Sequence, residues 1–337
     1  MLAEQKVIKL IRESMTGPSH NYKNIMNILS NNNLLILTED GTYTIRSEAE
    51  SEYMHSRIGA MKEAFEKFAT PSDIGNIKKP RILDLCSGLG YNSLAALVQN
   101  RDSYLDLLEI SSEMIFLSQF ISSPFKEKKI LDEAVNRFFH KKTMEKVRIF
   151  SEDARVYLQG ENIPQYDIIF HDGFSPANDP LLYTVEFLGL LYKHMSSSAV
   201  LLSYSSSIPF RSALIEAGFH IGEGPSIGRK RGITIAAINK NDRRILSRLS
   251  YDDEKLIALS TIGVPFHDRT LKGSLEEIQN NRMKKRQYEK SRRDYLSTKK
   301  IKKDLIDNQY RKIYSDSTHS RDSILAMRKY KSMAKLI

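Results

Sequence analysis

The chain has 337 residues, with 51 lysines and arginines against 41 aspartates and glutamates. Hydrophobic residues make up 41%, enough for a sizeable core, which excludes a wholly disordered chain. The single cysteine excludes a disulfide scaffold and a cysteine-rich metal site, and no metal is expected; no apolar run approaches the ~18 residues of a membrane span. The net charge of +10 is uneven: residues 240–337 hold 25 basic and 13 acidic side chains, whereas residues 1–239 hold 26 and 28. The C-terminal third alone is therefore suited to a polyanion.

The opening MLAEQKVIKLIRESM mixes charges among apolar residues and lacks the core of a signal peptide, so a cytoplasmic enzyme is expected. Residues 1–30 read as helix. Residues 34–37 and 42–45 are β-prone runs around Glu39-Asp40-Gly41, a hairpin. Residues 47–68 read as one helix with Ser47 or Ser51 as its cap, and 70–79, with two prolines, as a linker. Strands and helices then alternate: strands at 81–86, 104–110, 147–150, 168–171, 200–204, 219–222 and 233–238. Helices are expected at 92–98, 113–120, within 126–146, and at 154–158, 185–194 and 210–217, the last closed by Gly218. This alternation predicts an α/β fold with a mostly parallel, doubly wound sheet. The domains expected are an N-terminal cap and linker (1–79), the α/β domain (80–240) and a basic, helical, partly flexible extension (241–337).

The first strand of this set runs into Asp84-Leu85-Cys86-Ser87-Gly88-Leu89-Gly90-Tyr91-Asn92. A strand, a glycine turn and a helix let backbone N–H groups approach a nucleotide-like ligand. Ser93 stands where a dinucleotide fingerprint has its third glycine, and Asp84 lies inside the strand. The segment resembles the first motif of S-adenosylmethionine-dependent methyltransferases, whose Rossmann-like domain has a seven-stranded sheet. Asp84, Gly88, Gly90 and Asn92 are thereby assigned to the cofactor, S-adenosyl-L-methionine. Glu109, at the end of the next strand, suits a bidentate contact with ribose hydroxyls. Asp153 suits an adenine amino group, with the Ala154 N–H on a ring nitrogen; Asp153 serves equally as a helix N-cap. Asp172 ends the fourth strand, facing the methyl donor. Phe174 and Tyr183 are candidates to wall an acceptor pocket. His171 reads as a core residue, and Cys86 as structural.

The blocks DGFSPANDPLLYTVEFLGLLYKHM, FRSALIEAGFHI and GPSIGRKR resemble the methyltransferase part of the bacterial MnmC-like tRNA 5-methylaminomethyl-2-thiouridine enzymes. TEDGTYTIRSEAESEYMHSRIGAMKEA and GVPFHD fit the same family, so the resemblance spans about residues 34–275. No oxidase half follows, so methyl transfer alone is expected. The resemblance implies methylation of the exocyclic amine of 5-aminomethyluridine, 2-thiolated or not, at the tRNA wobble position. A catalytic carboxylate such as Asp172 can orient that amine and accept its proton or pass it to water, while contact with the cofactor's sulfonium side or capping of a turn is the other reading; the resemblance puts His55, beside Met54 and Ser56, on the substrate side. Arg229, Lys230 and Arg231 suit phosphate contacts of tRNA.

From residue 272 onward 19 basic and 8 acidic residues alternate with Tyr288, Tyr295, Tyr310 and Tyr314, a pattern suited to phosphate contact and base stacking. Two other readings are open on sequence. One is a small-molecule N-methyltransferase or aminopropyltransferase-like enzyme; the GGGDG-like turn expected of the latter is absent. The other is a non-catalytic RNA-binding protein, against which the strand-end acids speak.

Overall fold

The computed structural model describes residues 35–47, 52–53, 59–121, 123–226 and 231–333, with 11, 27 and 29–31. Most of the helix expected over 1–30, and His55, Arg229 and Lys230, lie outside the described residues.

β1 (Leu35–Leu37) and β2 (Tyr43–Ser47) form the expected hairpin, antiparallel with Leu35 opposite Ile45 and Leu37 opposite Tyr43. Its turn is built on Asp40, whose Oδ1 accepts from Thr38 Oγ1 at 2.8 Å and Thr42 Oγ1 at 2.6 Å. The single helix expected over 47–68 is not formed. β2 runs to Ser47, β3 (Glu52–Tyr53) pairs with it, and the helix starts at Ala60. Gly59 sets that boundary: its φ is +142°, and a Cβ there would lie 2.2 Å from Asp40 Cγ. The cap comes from the hairpin, since Lys62 N donates to Asp40 Oδ2 at 3.0 Å. Burial raises the Asp40 carboxyl, but hydrogen bonds from Thr42, the Lys62 N–H and Thr38 outweigh it and hold the group below its usual value. The helix Ala60–Glu63 continues as a π-helix, Ala64–Ala69.

The segment expected as a linker is ordered. Ile74 is fully buried, and Asn100 Nδ2 donates to the carbonyls of Ile74 and Ile77 at 3.0 and 2.8 Å.

The α/β part is a seven-stranded, mostly parallel sheet. Its strands are β4 (Arg81–Leu85), β5 (Tyr104–Leu108), β6 (Val147–Phe150), β7 (Tyr166–His171), β8 (Met195–Ser203), β9 (His220–Glu223) and β10 (Thr234–Ala237). Their order is β6-β5-β4-β7-β8-β10-β9. β4 runs parallel to β5 and β7, and β5 to β6, whereas β10 is antiparallel to β8 and β9. Strands covered on both faces read as continuous apolar runs. That is why Ile82, Leu83, Leu85, Ile168, Ile169 and Phe170 are fully buried. The chain divides into two compact units, residues 1–154 with 168–174, and 155–167 with 175–337.

In the second unit residues 241–333 form the helices Tyr251–Leu259, Leu275–Ser291, Thr298–Lys302, Gln309–Asp316 and Ser320–Met333. They bury Ile278, Ile301, Tyr310, Ile324 and Met327. Two tyrosines expected to stack on bases are used for packing instead. Tyr310 lies edge-on to Tyr330 at 5.2 Å, and Tyr314 carries the Arg248 guanidinium 3.8 Å from its ring centre. The amphipathic helices Gln309–Asp316 and Ser320–Met333 gain more from burying these rings than from leaving them in water. Tyr288 remains exposed. Among the described residues no helix is long and apolar enough to cross a membrane.

Candidate active site

The first unit gathers its acids at the C-terminal ends of the parallel strands, where open α/β sheets bind ligands. After β4 the chain turns sharply: Cys86 and Gly88 have φ of +58° and +52°, and Gly90, at +81°, opens the helix Tyr91–Gln99. The turn is pinned by Cys86 N to Leu108 O at 2.8 Å and Gly90 N to Ser87 O at 2.7 Å. Tyr91 ties the N-terminal hairpin to it, its hydroxyl donating to Tyr43 O at 2.8 Å. The helix Lys128–Phe139, from the long lysine-rich stretch, covers the turn with Leu131 and Val135, leaving a cavity of about 10 Å³ beside Gly88 and Gly90.

Glu109 follows β5 and is buried. Its Oε2 accepts from Gly88 N and its Oε1 from Ser111 N, both at 2.9 Å. Burial raises its carboxyl, and these N–H groups hold the rise back. The Ile110 N–H acts on it too, and a carboxylate has about four acceptor positions, so capacity is left for a ligand hydroxyl.

Asp84 is fully buried within β4. Ser93 Oγ donates to its Oδ2 at 2.6 Å, while Oδ1 has no partner among the described residues. Desolvation, added to by the charges of Asp172 and Glu109, pushes its carboxyl up to about 7. The position where a dinucleotide fingerprint has glycine thus holds a hydroxyl that anchors an acid.

Asp172 follows β7 and is half-buried. Asn92 Nδ2, from the first turn of the helix Tyr91–Gln99, donates to its Oδ2 at 2.8 Å. Desolvation pushes its carboxyl up to about 6, with Glu63 adding to the rise, and Asn92 and Lys67 opposing it. Phe174, two residues on, is also half-buried.

Asp84, Gly88, Gly90, Asn92, Glu109 and Asp172 are thus brought together around the turn. Asp153 stands directly before the helix Ala154–Tyr157, with Ala154 buried. His171 is fully buried in β7, opposite Leu85. Tyr183 and Arg231 belong to the second unit. Tyr183 is 1% exposed and meets Phe210 edge-on at 5.1 Å, so its ring is packed rather than free to wall a pocket. Arg231 Nη2 donates to Asp253 Oδ1 at 2.6 Å, and Asp253 Oδ2 accepts from the fully buried Arg211 at 2.7 Å.

Sequence reasoning missed Glu186, which joins two of the quoted motifs: its Oε2 accepts from Asp268 N at 2.8 Å, and its Oε1 meets His267 Nδ1 at 3.0 Å. It also gave no role to Glu63 and Lys67, whose charges act on Asp172 although they are far from it in sequence. The glutamate of GAMKEA was the available signal.

The donor set fits a cationic, ribose-bearing ligand. A buried acid with an unpartnered oxygen, a second acid with acceptor capacity left, and a third at the next strand end are poor company for a phosphate. They suit a sulfonium and an ammonium.

The sheet, the glycine turn and these acids define an S-adenosyl-L-methionine-dependent methyltransferase, and residues 118–239 match the family profile of that description. Protein MJ0670 of Methanocaldococcus jannaschii is 42% identical, over 97% of this chain and 96% of that protein. The chain belongs to the same family as MJ0670. It is also related to the methyltransferase part of MnmC. The tRNA 5-methylaminomethyl-2-thiouridine biosynthesis bifunctional protein MnmC of Ralstonia nicotianae is 38% identical over 71 residues, 21% of this chain and 11% of that protein. The crystal structure of MnmC2 from Aquifex aeolicus has the same fold, with a TM-score of 0.65 and 24% identity, covering 85% of this chain and 98% of that one.

Proposed function

We propose that this enzyme methylates the exocyclic amine of 5-aminomethyluridine at the wobble position of tRNA. The observation that carries the reading is the half-buried Asp172, held by Asn92 next to the glycine turn of a chain related to MnmC. When bound, S-adenosyl-L-methionine supplies a methyl carbon already activated by the sulfonium. The chain's own residues then have two tasks, to hold both partners and to manage one proton.

Glu109 would accept from the ribose hydroxyls and Asp153 from the adenine amino group, and the Ala154 N–H would meet a ring nitrogen. Gly88 and Gly90 let the backbone come close. The acceptor amine must lose a proton for its lone pair to attack. Before that attack the Asp172 carboxylate would take the proton, or pass it on to water. A carboxyl near 6 is ionised at neutral pH yet more basic than an exposed one near 3.8, which suits a proton acceptor. Asn92 fixes its orientation. His55 and Phe174 are read as acceptor-side residues, and Arg229, Lys230 and Arg231 as contacts to tRNA phosphates. In this reading the exposed lysines of the helix Leu275–Ser291 extend the phosphate contacts, and the enzyme works in the cytoplasm.

The test is methylation of tRNA carrying 5-aminomethyluridine, followed by mass spectrometry of its nucleosides, alongside the same measurement on tRNA from a deletion strain. Asp172→Ala is expected to lose turnover by about 10²–10⁴-fold while keeping donor binding and fold. Unchanged wobble nucleosides in the deletion strain would sink the assignment.

A further inference from the structure

Glu63 and Lys67 stand one turn apart where the helix Ala60–Glu63 passes into the π-helix Ala64–Ala69. They are 8% and 6% exposed. Such side chains are almost never buried unless paired, and Lys67 Nζ donates to Glu63 Oε1 at 2.6 Å. A buried ion pair seldom adds stability beyond an apolar pair of the same size, so stability does not account for this one.

The local fold brings the segment that carries the pair against β7. The π-helix widens the turn, with Thr70 N bonded to Phe65 O at 2.9 Å, and such segments recur at functional sites. Phe68, next to Lys67, packs edge-on against Phe170 with ring centres 5.6 Å apart, and Phe170 lies two residues before Asp172. The upstream end is fixed by the Asp40 cap on Lys62 N. The charged groups acting on Asp172 are then Glu63 and Lys67 from this segment and Asp84 from β4, with Asn92 as hydrogen-bond donor.

We propose that Glu63 and Lys67 are a positioning pair for Asp172: Lys67 keeps its carboxylate ionised to receive the acceptor's proton, and Glu63 holds Lys67 in place and offsets its charge. The inference rests on the proton-accepting role proposed for Asp172. Lys67 alone would make Asp172 a weaker base, and Glu63 alone would leave it protonated.

The experiment is a titration of Asp172 by NMR in protein labelled at aspartate Cγ, the resonance identified by its disappearance in Asp172→Asn. Lys67→Met is expected to raise the Asp172 midpoint by about one unit, and Glu63→Gln to lower it. Lys67→Arg keeps the cation and is expected to leave the midpoint within a few tenths of wild type. In turnover assays the acid limb of kcat/KM should move in the same opposite directions. Glu63→Gln keeps both shape and a hydrogen-bond acceptor for Lys67, so it is expected to fold even if Lys67→Met does not. A Glu63→Gln midpoint equal to or above wild type in folded protein would overturn the proposal, as would movement of both variants in one direction. Midpoints that move as expected in a protein inactive on aminomethyluridine tRNA would retain the pair's role and reject only the acceptor.

Discussion

At the scale of single residues, the acids of the first unit carry opposite burdens with and without ligand. Asp84 and Asp172 sit near 7 and 6, both above an ordinary carboxyl. A folded-state value raised above the unfolded one means that the protonated form is favoured by folding. That stabilisation is complete below about pH 4 and is lost as pH rises through 6 and 7. For Asp84 the difference is on the order of 4 kcal/mol above pH 7. The ligand-free enzyme is therefore expected to melt at a lower temperature at pH 8 than at pH 5. Asp84→Asn, which keeps an oxygen for Ser93, should flatten that fall. S-adenosyl-L-methionine, a cation, should raise the melting temperature more at pH 8 than at pH 5. Differential scanning fluorimetry across this range checks all three, and a flat profile in wild type would show that Asp84 is ionised throughout. Asp84 and Glu109 were legible as candidates because strand ends and a glycine turn can be read along the chain. The Ser93 bond to Asp84 was not, because it joins side chains on a strand and a helix whose relative placement is tertiary.

At the scale of elements, the N-terminal hairpin acts as the cap of the helix that leads to the site. The sequence alone suggested one helix from residue 47, with a serine cap. The structure breaks it at Gly59 and supplies the cap from Asp40, some twenty residues upstream. Local helix signals lost to β-pairing of β2 with β1 and β3, which no helical window can weigh. Gly59→Ala forces a side chain into a positive-φ backbone and against the Asp40 carboxyl. It is expected to cost about 2 kcal/mol or more in urea unfolding. Asp40→Ala removes the cap alone and should cost about 1 kcal/mol. Equal, negligible effects would mean that the hairpin does not support the helix. The strands of the sheet, by contrast, were readable to within a few residues, because short apolar runs bounded by turns have few other uses. β8 starts earlier than expected, at Met195, since the polar Ser196–Ser198 stretch gives no apolar signal.

At the scale of the molecule, the charge surplus lies on helices that are part of the fold. Cutting the chain at residue 276 would remove Ile278, Ile301, Ile324 and Met327 from the core as well as the lysines. Charge is better tested in place. Lys284, Lys285, Lys290 and Lys299 are exposed. Replacing all four with glutamine is expected to weaken tRNA binding and to reduce its salt slope by ~0.7–0.9 for each phosphate no longer neutralised, leaving donor affinity unchanged. Filter binding at several salt concentrations measures this, and an unaltered slope would place the phosphate contacts elsewhere.

The sequence by itself determined the α/β class, the strand set, the glycine turn and the three strand-end acids, because these depend on periodicity and on residues adjacent in the chain. It also located the positive surplus. Only the tertiary structure decided which charges compensate one another: Ser93 on Asp84, Asn92 on Asp172, Glu63 with Lys67, and Tyr310 and Tyr314 packed rather than presented. Desolvation and pairing depend on distance in space, and the groups that set Asp172 come from segments distant along the chain.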